Sequence, residues 1–138
     1  MPLPNLQGPT VQGGALDAAA LGGHVLVLNV WATWCGPCEK EQPALEQVAQ
    51  AYAAKGVRFV GLQYRDNRAA GKEWVRRFGV SYPSLEDPSG SYSDDLGFFG
   101  LPDTYVTDRS GTIRFAIYGQ TDAQQLADTI DRALAMTS

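Results

Sequence analysis

The chain has 138 residues, 44% hydrophobic and 19% charged, which allows one well-cored domain and excludes a disordered or fibrous protein. Its net charge of −4, from 15 acidic and 11 basic residues with no Lys/Arg cluster, excludes an electrostatic nucleic-acid footprint. No apolar run approaches the ~20 residues that cross a bilayer, and Met1-Pro2-Leu3-Pro4-Asn5 lacks the basic-then-apolar order of a secretory leader.

Residues 1–14, rich in Pro and Gly, read as an irregular lead-in with short strands near Leu6 and Val11. Ala15 to Leu21 is Ala-rich and predicts a short helical turn stopped by Gly22-Gly23. Val25 to Trp31 is almost uniformly apolar, the pattern of a strand buried on both faces in a parallel sheet. From Gly36 the period turns helical: Leu45, Val48, Ala49 and Tyr52 share one face, and the helix ends near Lys55-Gly56. Pro37 suits the first turn, where its missing N–H costs nothing.

Val57 to Gln63 is the next strand. Asp66 or Asn67 can cap a helix to Phe78, with Trp74, Val75 and Phe78 inward and Gly79 as its stop. Ser81 to Phe99 is turn-rich, with one short strand near Ser84-Leu85. Thr104–Thr107 and Thr112–Tyr118 then form an antiparallel hairpin through Asp108-Arg109-Ser110-Gly111. Thr121-x-x-Gln124 predicts a capping box for a last helix that turns Ala123, Leu126, Ala127, Ile130, Ala133 and Leu134 to one side. A βαβ crossover followed by a ββα unit implies an α/β fold with a mixed sheet and helices on both faces. The pattern shows no linker and no repeat, so residues 1–138 read as one domain.

The only two cysteines, Cys35 and Cys38, sit where the first long strand passes into its helix. A helix N-terminus favours a thiolate, which makes Cys35 the nucleophile. Cys38, one turn on, lies within disulfide reach and can resolve a mixed disulfide. A static disulfide is one alternative. Half of a zinc site is another, but it needs two more ligands and the chain has only His24 to add. Glu41, three residues after Cys38, is either a solvated helix charge like Glu39 or a partly buried acid able to move the Cys38 proton.

Trp34-Cys35-Gly36-Pro37-Cys38 resembles the active-site motif of the thioredoxin superfamily letter for letter. That resemblance implies a thioredoxin-like three-layer sandwich, in which Trp34, Gly36 and Pro37 contact substrate. It also implies a cis Leu101-Pro102 whose backbone pairs with an extended substrate segment. Two departures from thioredoxin narrow the match: Asn29 stands where thioredoxin has a buried aspartate, and the segment from Asp66 to Phe99 is longer. With Asn29–Cys35, Glu41, Pro43, Phe59–Asp66, Asp87-Pro88-Ser89-Gly90 and Phe99–Thr104, the chain resembles the TlpA, ResA and CcmG/DsbE branch over residues 24–136.

The likeness to that branch implies extra N-terminal strands, an insertion before the cis-proline, and Asp103 as its acidic substrate-site residue. It further implies a monomeric thiol–disulfide oxidoreductase outside the cytoplasm, its anchor or leader absent from this sequence. Cys35 and Cys38 carry the electrons without a bound cofactor or metal. The partners it implies are exported proteins with thiols or disulfides, among them apocytochrome c, and a membrane electron donor or acceptor of the CcdA/DsbD or oxidase type. Gly36-Pro37 is the dipeptide of reducing thioredoxins and points to a reductant in cytochrome c maturation; an oxidant that introduces disulfides is the same chemistry reversed. A peroxidase on this fold, or a non-catalytic module such as a haem-handling chaperone, fits the paired dithiol less well.

Overall fold

The computed structural model describes residues 1–136. Its centre is β3 (Leu26–Trp31), in which all six residues are buried. A strand without a polar face is stable only if both faces are covered, and its neighbours provide that. The strand leads through α1 (Gly36–Tyr52) to β4 (Arg58–Tyr64), which pairs with it in parallel. Next, α2 (Arg68–Phe78) crosses to β5 (Ser84–Asp87), parallel to β4. A short α3 (Ser91–Asp95) precedes β6 (Asp103–Thr107) and β7 (Ile113–Tyr118), which are antiparallel to each other, and α4 (Ala123–Leu134) follows. The sheet order is β5-β4-β3-β6-β7, with β6 antiparallel to β3. This is the expected mixed sheet. No helix among the described residues is long and apolar enough to cross a membrane.

Alternation along β3 divides the core. Val27 joins Leu45, Val48 and Ala49 of α1 and Leu126, Ile130 and Ala133 of α4 on one face. Leu26, Leu28 and Val30 point to the other, under Leu6, Ala18, Leu85, Leu96 and Tyr105. A third cluster forms at the strand's C-terminal end, where Trp31 and Ala32 meet Cys35, Cys38 and Trp74. Trp31 stacks on Trp74 with ring centroids 5.1 Å apart, and its indole N–H donates to Ser84 Oγ at 2.8 Å.

Several expectations shift. The N-terminal strands are β1 (Gln7–Pro9) and β2 (Ala15–Asp17), an antiparallel pair separate from the main sheet. Leu6 and Val11 are buried anchors beside β1, not strand centres. Ala15–Asp17 is strand because it pairs with β1; only Ala18–Leu21 makes the helical turn, a 3-10 turn capped by Asp17. Asn67, not Asp66, caps α2, its side chain accepting from Ala70 N–H at 2.8 Å. The N-cap of α4 is Asp122 rather than Thr121: Asp122 Oδ1 accepts from Gln125 N–H at 2.8 Å, while Thr121 N–H donates to Glu41. The turn-rich segment also hides α3. The buried Asp87 carboxylate organises it by accepting from Tyr92 N–H, Ser93 N–H and Ser93 Oγ–H.

The hairpin forms as its turn chemistry requires. Gly111 takes φ +86°, a conformation that L side chains rarely adopt. Asp108 accepts from Ser110 N–H, Thr112 N–H and Arg114 Nε–H. Hydrogen bonds from the Ser110 hydroxyl first, then from Arg114 and the turn amides, overcome the cost of burial and hold that carboxyl well below the usual range.

Gly61 of β4 lies under the Trp31–Ser84 bond. A Cβ there would stand 2.6 Å from Ser84 Oγ and 2.8 Å from Trp31 Nε1. Gly61→Ala is therefore expected to destabilise the protein by about 1–3 kcal/mol through overpacking. In urea the midpoint should fall at unchanged m-value; an unmoved midpoint would show that the tryptophan floor yields freely.

Candidate active site

The chain leaves β3 at Trp31 and turns through Ala32–Trp34 into α1. Cys35 is the N-cap of that helix, with extended backbone (φ −102°, ψ 109°), and its Sγ accepts from Cys38 N–H at 3.2 Å. A sulfur thus occupies the place usually taken by a Ser or Asp oxygen. It faces the positive end of the helix, where a thiolate is favoured. Cys35 and Cys38 are joined as a disulfide, their Cα atoms 5.3 Å apart. Cys35 is 7% exposed and Cys38 1%, so an incoming sulfur reaches Cys35 first. Gly36 and Pro37 between them are exposed.

Neighbouring residues fix this turn. Asp66 Oδ2 accepts from Thr33 N–H at 2.7 Å and from the Thr33 hydroxyl at 2.6 Å. Burial opposes the Asp66 charge, but these bonds and the Asn67 amide outweigh it and lower its pKa. Sequence reading saw in Asp66 only a possible helix cap. Trp34 is 60% exposed, and its indole N–H donates to Arg65 O at 3.3 Å. It forms one wall of an open cleft of about 670 Å³ with Arg65, Asp66, Asn67, Pro88 and Ser89. A cavity of about 450 Å³ lies at the other end of β3, beside His24, away from the dithiol. His24 is half-buried there against Gly56 O. Among the described residues, no group of His, Cys, Asp or Glu side chains could hold a metal ion.

The Leu101–Pro102 peptide is cis, and Leu101 packs against the cluster that contains both cysteines. Asp103 departs from expectation. It is 1% exposed, and its Oδ2 accepts from Phe99 N–H, Gly100 N–H and the Tyr105 hydroxyl. A carboxylate so committed shapes the Phe99–Leu101 loop from within and is not a surface group for substrate.

Glu41 is the unusual group. On α1, one turn after Cys38, it is 1% exposed, so it is not solvated as Glu39 is. Glu39 instead pairs with Arg77 at 2.7 Å. Glu41 Oε2 accepts from Asn29 Nδ2–H at 2.9 Å, and Oε1 from Thr121 N–H at 3.0 Å. Burial is the largest influence and pushes its pKa up to about 7; the two hydrogen bonds oppose this and the Asp103 charge adds to it. Glu41 thus combines burial, a pKa near neutrality and a place one helical turn from Cys38, the combination that a proton-transfer group requires. Asn29, which cannot titrate, supports the acid that stands in this position instead.

A sheet that delivers a C-x-x-C pair to a helix N-terminus, with the leucine of a cis Leu–Pro peptide packed against it, defines the thioredoxin-like class. Residues 1–116 match the model of the AhpC/TSA family. Thiol:disulfide interchange protein DsbE of Tatumella citrea is 41% identical over 113 residues, 81% of this chain and 59% of that protein. The chain thus spans less than two thirds of that relative's length. DsbE of Allochromatium vinosum is 35% identical over 134 residues, covering 96% of this chain and 71% of its own. The crystal structure of a thiol:disulfide interchange protein of the thioredoxin family from Chlorobium tepidum TLS superposes with TM-score 0.88 at 29% identity, over 98% of this chain and 97% of that one. The chain belongs to the AhpC/TSA family, among the DsbE-type thiol:disulfide interchange proteins.

Burial of Glu41 has a measurable cost. The folded state binds this proton more tightly than the unfolded chain, whose carboxyl titrates near 4.5. Its contribution to stability is fully present below about pH 4.5 and is lost as pH rises through about 7, a fall of up to about 3 kcal/mol. Glu41→Gln should flatten this part of the profile in urea unfolding between about pH 4 and 9; parallel profiles for the two proteins would refute the buried acid.

Proposed function

We propose that this protein is a thiol–disulfide oxidoreductase that works outside the cytoplasm and reduces disulfides in exported proteins, apocytochrome c before haem attachment among them. The observation that carries the chemistry is Cys35 Sγ at the N-cap of α1 with Cys38 buried one turn behind it. Starting from the dithiol, the Cys35 thiolate attacks one sulfur of a substrate disulfide. The new sulfur–sulfur bond forms as the substrate bond breaks, and one substrate thiolate leaves. Cys38 then gives its proton to Glu41 and attacks Cys35 Sγ, closing the internal disulfide and releasing the second thiolate. Two electrons pass to the substrate, and the cysteines carry them without a bound cofactor.

Trp34, Gly36 and Pro37 supply the surface around the nucleophile, and the Leu101–Pro102 segment supplies backbone groups for an extended peptide. Kinship to DsbE proteins supports the place outside the cytoplasm and the cytochrome c substrate. The same kinship supports a membrane donor of the CcdA/DsbD type to restore the dithiol. Gly36-Pro37, shared with reducing thioredoxins, supports the direction.

With dithiothreitol as donor, the protein should reduce insulin, and Cys35→Ser should abolish the reaction; activity retained in that variant would remove Cys35 from the mechanism. A reduction potential near about −270 mV or lower fits the reductant, whereas one near about −120 mV would reverse the direction. The rate should also follow a group with a midpoint near 7 that Glu41→Gln removes from the pH profile. An unchanged profile would take the proton step away from Glu41.

A further inference from the structure

Asn29 lies at the middle of β3, 1% exposed, with its side chain toward α1. Its two ends are unequally served. Nδ2 donates to Glu41 Oε2 at 2.9 Å and to Thr104 Oγ1 at 3.2 Å, with Asp103 O more distant at 3.5 Å. Oδ1 is buried, and among the described residues no donor reaches it. A buried acceptor without a partner is costly, and in this site it belongs to the one side chain that directly holds the buried acid from the sheet.

The arrangement suits only one state of Glu41. An ionised carboxylate accepts, so an N–H aimed at Oε2 is right. Once Oε2 carries a proton it becomes a donor, and Nδ2–H and O–H then face each other as two donors. Half a turn of the amide about χ2 removes the conflict. Oδ1 then accepts from the Glu41 O–H, and the Thr104 hydroxyl reverses from acceptor to donor. The long contact to Asp103 O is lost, and Nδ2 takes the unserved place that Oδ1 held. Each orientation therefore satisfies one end of the amide and leaves the other bare. The Asp103 carbonyl favours the first orientation, and a Glu41 O–H, which only Oδ1 can accept, favours the second.

We propose that the Asn29 amide is a two-position switch that turns with the proton on Glu41, offering Nδ2 to the carboxylate and Oδ1 to the acid. Asn29 is a positioning residue and exchanges no proton itself. It lets the carboxyl accept the Cys38 proton without losing its hydrogen bond to β3, and thus keeps the acid aimed through both halves of the thiol exchange. The other groups facing Glu41 do not duplicate this. Asp103, on β6, is bound to Phe99, Gly100 and Tyr105. The Tyr82 hydroxyl, which precedes β5, accepts from Gln42 and stays protonated through burial. Cys38, on α1, is the proton's source, and Thr121 before α4 offers a backbone N–H that cannot reverse.

The inference rests on Glu41 moving the proton, and one NMR titration of the whole chain in its disulfide form separates the two claims. Neither cysteine titrates in that form. The side-chain amide of Asn29, one of three asparagines with Asn5 and Asn67, should shift with the same midpoint as the Glu41 carboxyl carbon. Nuclear Overhauser contacts from its Hδ2 protons to Glu41 Hγ should be present above the midpoint and lost below it. Glu41→Gln should abolish the shift, and Asn29→Ala should raise the Glu41 midpoint. Contacts that persist across the titration, or a shift that survives Glu41→Gln, would overturn the switch while leaving Glu41 as the proton carrier. A Glu41 carbon that does not titrate would overturn both.

Discussion

Burial of β3 on both faces is the constraint from which the site follows. Because Val27, Asn29 and Trp31 must face α1 while Leu26, Leu28 and Val30 face the other layer, the strand cannot slip by one residue without exchanging its two cores. Trp31 is then locked on Trp74 and Ser84, and only Ala32–Trp34 remain to turn the chain before α1 begins. That short connection leaves the Cys35 sulfur to cap the helix. Asp66 completes the constraint from the next crossover by holding both the amide and the hydroxyl of Thr33. The position of the nucleophile is thus set by packing on one side and by a charged hydrogen-bond acceptor on the other.

The same strand register places the acid. Asn29 sits between two core residues of β3 and reaches across to α1, where Glu41 lies one turn below Cys38. A lone buried carboxylate is strongly disfavoured, and among the described residues no cation pairs with Glu41. Two N–H donors, from Asn29 and Thr121, compensate in part. The remaining penalty appears as a pKa near 7. A lysine or arginine in place of Asn29 would have fixed the charge, and an apolar residue would have fixed the proton. An uncharged amide leaves the balance close to neutrality, where a proton can be both taken and returned.

Much of this was legible in the sequence because it follows from local pattern. The apolar run of β3, the i, i+3, i+4 spacing in α1 and α4, and the Asp108–Gly111 turn each report their own structure over a few residues. What escaped depends on partners far along the chain. Ala15–Asp17 looks helical by composition and is strand only because β1 lies beside it. Thr121-x-x-Gln124 has the form of a capping box, yet Thr121 N–H is drawn 80 residues away to Glu41, and the cap moves to Asp122. Asp66 read as a possible helix cap, Asp87 as part of a turn-rich segment and Asp103 as a substrate-site acid, but each carboxylate gathers several donors and organises a turn. Their signal was present only as acidic residues in segments rich in Ser, Thr and Gly, whose amides and hydroxyls need acceptors once the loops are folded inward.

Asp103 shows how such inward use shapes the outer face. By collecting the amides of Phe99 and Gly100 and the hydroxyl of Tyr105, it removes its own charge from the surface next to the cis-proline. Phe99 is left 77% exposed, edge-on to Tyr118 with ring centroids 5.6 Å apart, and Trp34 is 60% exposed beside the nucleophile. Tyr118 is held opposite Asp103 by the β6–β7 register, so this aromatic pair stands next to the Leu101–Pro102 segment. The exposed surface around the dithiol and the cis-proline is therefore largely aromatic, with Gly36 and Pro37 exposed beside it. Such surfaces suit extended chains through shape and main-chain hydrogen bonding more than through charge, while the carboxylates of Asp66, Asp103 and Glu41 are turned inward onto hydrogen-bond donors.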